Sequence, residues 1–120
     1  MLSQADKDLI IKDLCGKLPY GVKCETYKGA LPIYTIAYDG RVLFFKDDVS
    51  QFYMDNPKPY LRSLRNMSED EENEYKSTCI QLNGLNIETF LTIDWFNEHL
   101  FDYRDLIEKG LALEAPEGMY

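Results

Sequence analysis

The sequence predicts an α+β fold in a single domain: one mostly antiparallel sheet of about four or five strands, with three or four helices packed against it. Three observations carry that expectation. Apolar residues recur at helical spacing near the N-terminus, β-branched and alternating runs fill residues 22–54, and serine- or aspartate-led helix starts follow residue 66. The chain has 120 residues, enough to bury a core without disulfide staples, and its 45% hydrophobic content is that of an ordered globular protein. Neither an internal repeat nor a low-complexity linker divides it, so residues 1–120 read as one unit.

The elements follow in order. Ser3 is placed to cap a first helix, with Asp6 three residues on in the electropositive first turn. Ala5, Leu9, Ile10, Leu14 and Leu18 then mark an apolar face that Gly16 is expected to end, and "LPYG" turns the chain. A strand over 22–27 alternates Val22, Cys24 and Thr26 with Lys23, Glu25 and Tyr27. "IYTIAY" (33–38) and "RVLFF" (41–45) flank Asp39-Gly40, a pair suited to a two-residue hairpin turn because both positions tolerate positive φ. "VSQFYM" (49–54) adds a strand, and Pro57 and Pro59 reduce "NPKPYLR" to an edge or connector.

Ser68 and Glu71 form a capping box at the start of a second helix, whose inward stripe is Tyr75, Cys79 and Leu82. "IETFLTI" (87–93) reads as a strand. Asp94 is placed to cap a short helix and Asp102 another, over "YRDLIEK". Around the latter, Phe101 and Leu106 have the spacing of a hydrophobic staple, and Gly110 stands where a left-handed C-terminal residue belongs. "LALE" reads as a last edge strand.

Composition excludes several functions. There is no apolar run of the roughly 18 residues a membrane helix needs, and "MLSQADKDLIIKDL" lacks a basic-then-apolar leader, so the chain is expected to stay in the cytoplasm. Cys15, Cys24 and Cys79 are odd in number, widely spaced and without C-x-x-C, and read as buried free thiols of a reducing compartment. With a single histidine, no cysteine pair and no calcium loop, neither a metal nor a cofactor is expected. Charge is unevenly divided. Residues 1–65 carry ten Lys/Arg against eight Asp/Glu, whereas residues 66–120 carry three against thirteen, within a net charge of −8. The acidic half disfavours free nucleic acid and favours a protein partner with a basic surface.

Three groups of residues remain as candidate sites. His99, with Asp102 and Tyr103 three and four residues on, is the only candidate catalytic constellation, although no motif supplies a nucleophile. In extended backbone Lys58, Tyr60 and Arg62, with Arg65 beyond, place cations around an aromatic ring. That pattern suits either a nucleic-acid strand or the guarding of a sheet edge. Glu69, Asp70 and Glu72 lie around a helix start, where carboxylates complement the dipole and remain solvated. The nine tyrosines suit sheet faces and protein interfaces alike.

"LPYGVK", "KPYLR…MSEDEE" and above all "IDWFNEHLFDYRDLIEKGLALEAPEGMY" resemble small uncharacterised proteins encoded in prophages and other mobile elements of Bacteroides-type gut bacteria. The sequence departs from that group at Leu100, where a second histidine is common, and at Asp105, where glycine is common. The first departure argues further against a histidine-pair metal site. The resemblance implies a phage or mobile-element context and no mechanism. The expectation is therefore a non-catalytic interaction protein, with nucleic-acid binding through Lys58–Arg65 or a small hydrolase using His99 and carboxylates as alternatives.

Overall fold

The computed structural model describes residues 2–37, 41–45, 51–81 and 87–120. Its first helix, α1 (Gln4–Lys17), begins as expected. Ser3 Oγ accepts the Asp6 N–H at 3.1 Å while Asp6 Oδ2 accepts the Ser3 N–H at 3.4 Å, so two orphan donors are satisfied reciprocally. Ile10 and Leu14 are buried in the core, whereas Ala5 of the expected apolar face is exposed. Gly16 does not end the helix. Helical structure continues to Lys17, and a 3-10 turn (Leu18–Tyr20) leads to Gly21, whose φ of 77° makes the turn.

Strands β1 (Lys23–Thr26) and β2 (Gly29–Pro32) pair antiparallel, with Cys24 opposite Leu31. The expected alternation holds in β1: Val22, Cys24 and Thr26 are buried, and Glu25 and Tyr27 are exposed. β2 was not anticipated, because "GALP" has the glycine and proline that weaken a strand. β3 (Thr35–Ile36) and β4 (Arg41–Phe45) pair antiparallel, with Ile36 opposite Val42. The Asp39-Gly40 turn between them lies outside the described residues. β5 (Gln51–Asp55) continues the sheet, with Phe44 opposite Phe52. Beyond Pro57 and Pro59, β6 (Tyr60–Leu61) pairs parallel with β7 (Leu113–Glu114), so the final strand is real although only two residues long.

Among the described residues the strands thus form three small sheets where a single sheet was expected. Backbone bonds join them into one interrupted layer. Ile33 N–H donates to Val22 O at 3.2 Å, Tyr34 N–H to Leu43 O at 2.9 Å, and Glu25 N–H to Lys58 O at 2.9 Å. α1 and the closing segment supply apolar residues from outside the strands, including Leu14, Leu106 and Leu111, to the same core as Val22, Val42 and Phe44.

α2 (Glu69–Gln81) carries the predicted capping box. Ser68 Oγ accepts the Glu71 N–H and Glu71 Oε1 accepts the Ser68 N–H, both at 3.1 Å. The strand expected at 87–93 is instead part of α3 (Ile87–Glu98). Its β-branched and aromatic residues favour a strand locally, but tertiary packing overrides that preference. The Tyr75 ring of α2 lies 5.6 Å from Trp95 and 5.3 Å from Phe96 of α3, and helical spacing is what brings those two indole and phenyl rings to it. Asp94, expected to cap a helix, is an exposed residue within α3.

The helix expected over "YRDLIEK" is a run of turns. Its start signal is nevertheless used: the Asp102 carboxylate accepts the Leu106 N–H at 2.9 Å and the Ile107 N–H at 3.0 Å. Asp105 sits at φ 59°, a left-handed conformation that interrupts helical geometry just after the cap. Gly110, at φ 76°, turns the chain back so that Leu111 N–H reaches Leu106 O at 2.9 Å, with Phe101, Leu106 and Leu111 all buried. Of the cysteines, Cys24 is buried, with its thiol pushed up to about 12 by desolvation, but Cys15 is exposed, contrary to expectation. The side chain of Cys79 lies outside the described residues.

Candidate interaction surface

His99 is a packing residue. Its Nδ1 lies 2.9 Å from Trp95 O, and because a carbonyl only accepts, that nitrogen carries the hydrogen. The ring stacks on Trp95 with centroids 4.2 Å apart. Its Nε2 is 3.9 Å from Glu74 Oε1, which also accepts the Trp95 Nε1–H at 2.9 Å. The expected neighbours point elsewhere. Asp102 holds the turn described above, while Tyr103 Oη accepts from Arg104 Nη2 at 3.0 Å. His99, Asp102 and Tyr103 are therefore not assembled into one constellation, and the base–nucleophile contact that covalent catalysis needs is missing among them.

The segment Lys58–Arg65 is also largely committed. Arg62 makes a two-pronged pair with Glu71, Nη1 to Oε2 at 2.8 Å and Nη2 to Oε1 at 2.6 Å, and Nη1 also reaches His99 O at 3.3 Å. Its guanidinium lies over the Phe101 ring, 4.3 Å from the centroid. These donors hold the Glu71 carboxyl down at about 2. Tyr60 gives its carbonyl to the Tyr120 hydroxyl at 2.7 Å, and Arg65 reaches within 3.9 Å of Glu114 on the surface. Only Lys58 extends an exposed cation without a partner among the described residues. Two arginines paired with carboxylates leave little to track a phosphate backbone.

The acids are more available. Glu69 and Asp70 are exposed and their side chains have no partner among the described residues, while Glu72 forms a surface pair with Lys76 at 3.1 Å. Beside them opens a cleft of about 670 Å³. Arg62, Asn66, Met67 and Glu71 form one side, and Ala115, Pro116, Glu117, Gly118 and Tyr120 the other. The Tyr120 hydroxyl fixes the second wall by donating to Tyr60 O and accepting the Lys23 N–H at 2.8 Å. Glu117 is exposed and its side chain has no partner among the described residues, and Asn66 Nδ2 donates to Glu114 Oε1 at 2.8 Å near the rim. The capping box and the final parallel strand pair place these groups, because they bring the start of α2 against the end of the chain.

Beneath the surface lies a charged cluster that sequence reasoning missed. Lys17 and Asp13 are fully buried, with Nζ 2.5 Å from Asp13 Oδ1 and 3.2 Å from Asn97 Oδ1, and 4.6 Å from the Tyr103 ring centroid. Arg104 Nε is 3.5 Å from the same Asp13 oxygen. Burial pushes the Asp13 carboxyl up and the Lys17 amine down, each against the attraction of the other. Among the described residues Asp13 Oδ2 and Arg104 Nε have no hydrogen-bond partner. The cluster ties α1 to α3 and to the closing segment, and it does not line the cleft. The available signal was its spacing: Ile10, Asp13, Leu14 and Lys17 form one i, i+3, i+4, i+7 stripe, so two charges interrupt an apolar face.

Among the described residues, no group of three or more histidine, cysteine or acidic side chains is placed to hold a metal ion, and no helix is long and apolar enough to cross a membrane. The chain matches no family model, no curated protein and no solved structure.

Proposed function

We propose that this chain is a non-catalytic interaction protein that binds a basic protein partner through the acidic surface around the start of α2 and the cleft beside it. One observation carries the reading: the arginines Arg62 and Arg65 are each paired with a carboxylate, whereas Glu69, Asp70 and Glu117 are exposed and have no side-chain partner among the described residues. Such a surplus speeds encounter with a partner of opposite sign and fixes its orientation more than it deepens affinity. The resemblance to prophage proteins makes the partner a component of a bacterial cytoplasm and the chain an accessory product of a phage or mobile element. Neither alternative draws comparable support, since Arg62 is bound to Glu71 and His99 to the Trp95 stack.

The test is capture from bacterial extract with the wild-type chain and with a variant in which Glu69, Asp70 and Glu72 are all changed to lysine. The wild type should retain a basic protein that moderate salt elutes, and the variant should lose it. Retention of the same protein by both, or of a partner without a basic surface, would refute the reading.

A further inference from the structure

The cleft allows a narrower statement, which rests on the reading that the acidic surface receives a basic protein. We infer that the cleft takes a lysine or arginine side chain of that partner, its charged head between Glu117 and Glu71 and its stem against Met67, Pro116 and the Tyr120 ring. About 670 Å³ lies within the range of specific binding pockets, and it leaves room for the backbone flanking the inserted side chain.

The chemistry of the lining favours a cation. Arg62 gives three of its five N–H donors to Glu71 and His99 O and its face to Phe101, so its charge is already matched by Glu71, and an entering anion would meet the added negative charge of Glu117. A cation instead meets oxygen. Among the described residues Glu71 Oε2 accepts only from Arg62 Nη1, which leaves it a free lone pair, and the Glu117 side chain has no partner. The positive end of α2 opposes a cation, but Glu69, Asp70 and Glu72 on the same turn outweigh its half charge. The walls suit a long aliphatic stem, which gains by lying on apolar surface while its head stays polar. The Tyr120 ring, which already has Lys23 Nζ 6.0 Å from its centroid, adds apolar area for the stem and is held in place by its tethered hydroxyl.

The experiment is an NMR titration of the ¹⁵N-labelled full chain with acetyl-Gly-Arg-Gly-amide, its lysine counterpart and a glutamine counterpart as control. The basic probes should move the amides of Glu117 and Gly118 and the Nε signal of Arg62 saturably, and the control should not. Glu117→Gln, at an exposed site without side-chain partners among the described residues, should keep the dispersed spectrum and weaken binding roughly two- to fivefold, the scale of one exposed charge contact. Saturable shifts confined to residues 69–72 would overturn the cleft as the receptor and leave the acidic-surface reading standing. An equal response to glutamine would overturn the charge assignment. No response to either basic probe beyond the control would overturn both the cleft and the basic-partner reading.

Discussion

Lys17–Asp13 and Arg62–Glu71 are ion pairs of nearly equal length, 2.5 and 2.6 Å, set in opposite surroundings. The first is sealed from water, and the second is partly exposed at the cleft. Burial dominates the first, pushing Asp13 up and Lys17 down towards their neutral forms. Donors dominate the second, where hydrogen bonds from Arg62 hold Glu71 at about 2. Distance alone therefore says little about what an ion pair contributes. A sealed pair mostly offsets its own desolvation, and breaking it leaves a stranded charge, whereas a half-solvated pair adds modest stability and remains open to a ligand.

The largest effect should come from splitting the sealed pair. Lys17→Ala or Asp13→Ala should each cost about 3–5 kcal/mol in chemical denaturation, because the surviving charge stays buried. Asp13→Leu combined with Lys17→Met should cost less than either single change, although Asn97 and Arg104 lose a partner. A double variant as unstable as the sum of the singles would show that the two charges do not answer one another.

The exposed pair should respond less and in a defined pH window. Arg62→Met should cost about 1.5–3 kcal/mol at neutral pH, the scale of hydrogen bonds to a charged group. The folded-state value of Glu71 lies below the ordinary 4.5, so its contribution is full above that pH and is lost as pH falls towards about 2. Urea titrations across that window should show the wild type losing its advantage over Arg62→Met. An advantage that persisted below pH 2 would mean that Arg62 acts through Phe101 alone.

Gly16 gives a test of sign. Within a helix, alanine normally gains about 1 kcal/mol over glycine. Here a Cβ would lie 2.7 Å from Asn97 Nδ2, and Asn97 is buried and bonded to Lys17. Gly16→Ala should therefore destabilise, by about 1–3 kcal/mol as an overpacked contact. Stabilisation would show that α1 and α3 sit further apart.

The helix starts were legible because they are local. Ser3 with Asp6, and Ser68 with Glu71, close boxes whose partners lie within one turn. Gly16 was misread for the opposite reason: the group that excludes a side chain there is 81 residues away in sequence. "IETFLTI" misled because its local preference is for a strand, while it forms one helix with Trp95 and Phe96, whose packing partner Tyr75 belongs to another element. The closing stretch lies between these cases. The helix that Asp102 and Gly110 were expected to bound does not form, yet both residues shape the turns that replace it, Asp102 by accepting the Leu106 and Ile107 N–H groups and Gly110 through its positive φ, with a left-handed Asp105 between them. Of the surface candidates, the charge divide was plain in composition. That Arg62 would belong to Glu71, and that the chain's last residues would wall a cleft, required the fold.

If the acidic surface around α2 steers a basic partner, association kinetics with the captured protein reveal it directly. Stopped-flow rates at ionic strengths of about 0.05 and 0.5 M, where screening shortens from well over 10 Å to a few ångströms, should fall steeply as salt rises. The triple Glu69, Asp70 and Glu72 to lysine variant should associate slowly at both, with a much smaller change in dissociation. A rate indifferent to salt, or unaltered in the triple variant, would mean that the acidic surface steers no partner.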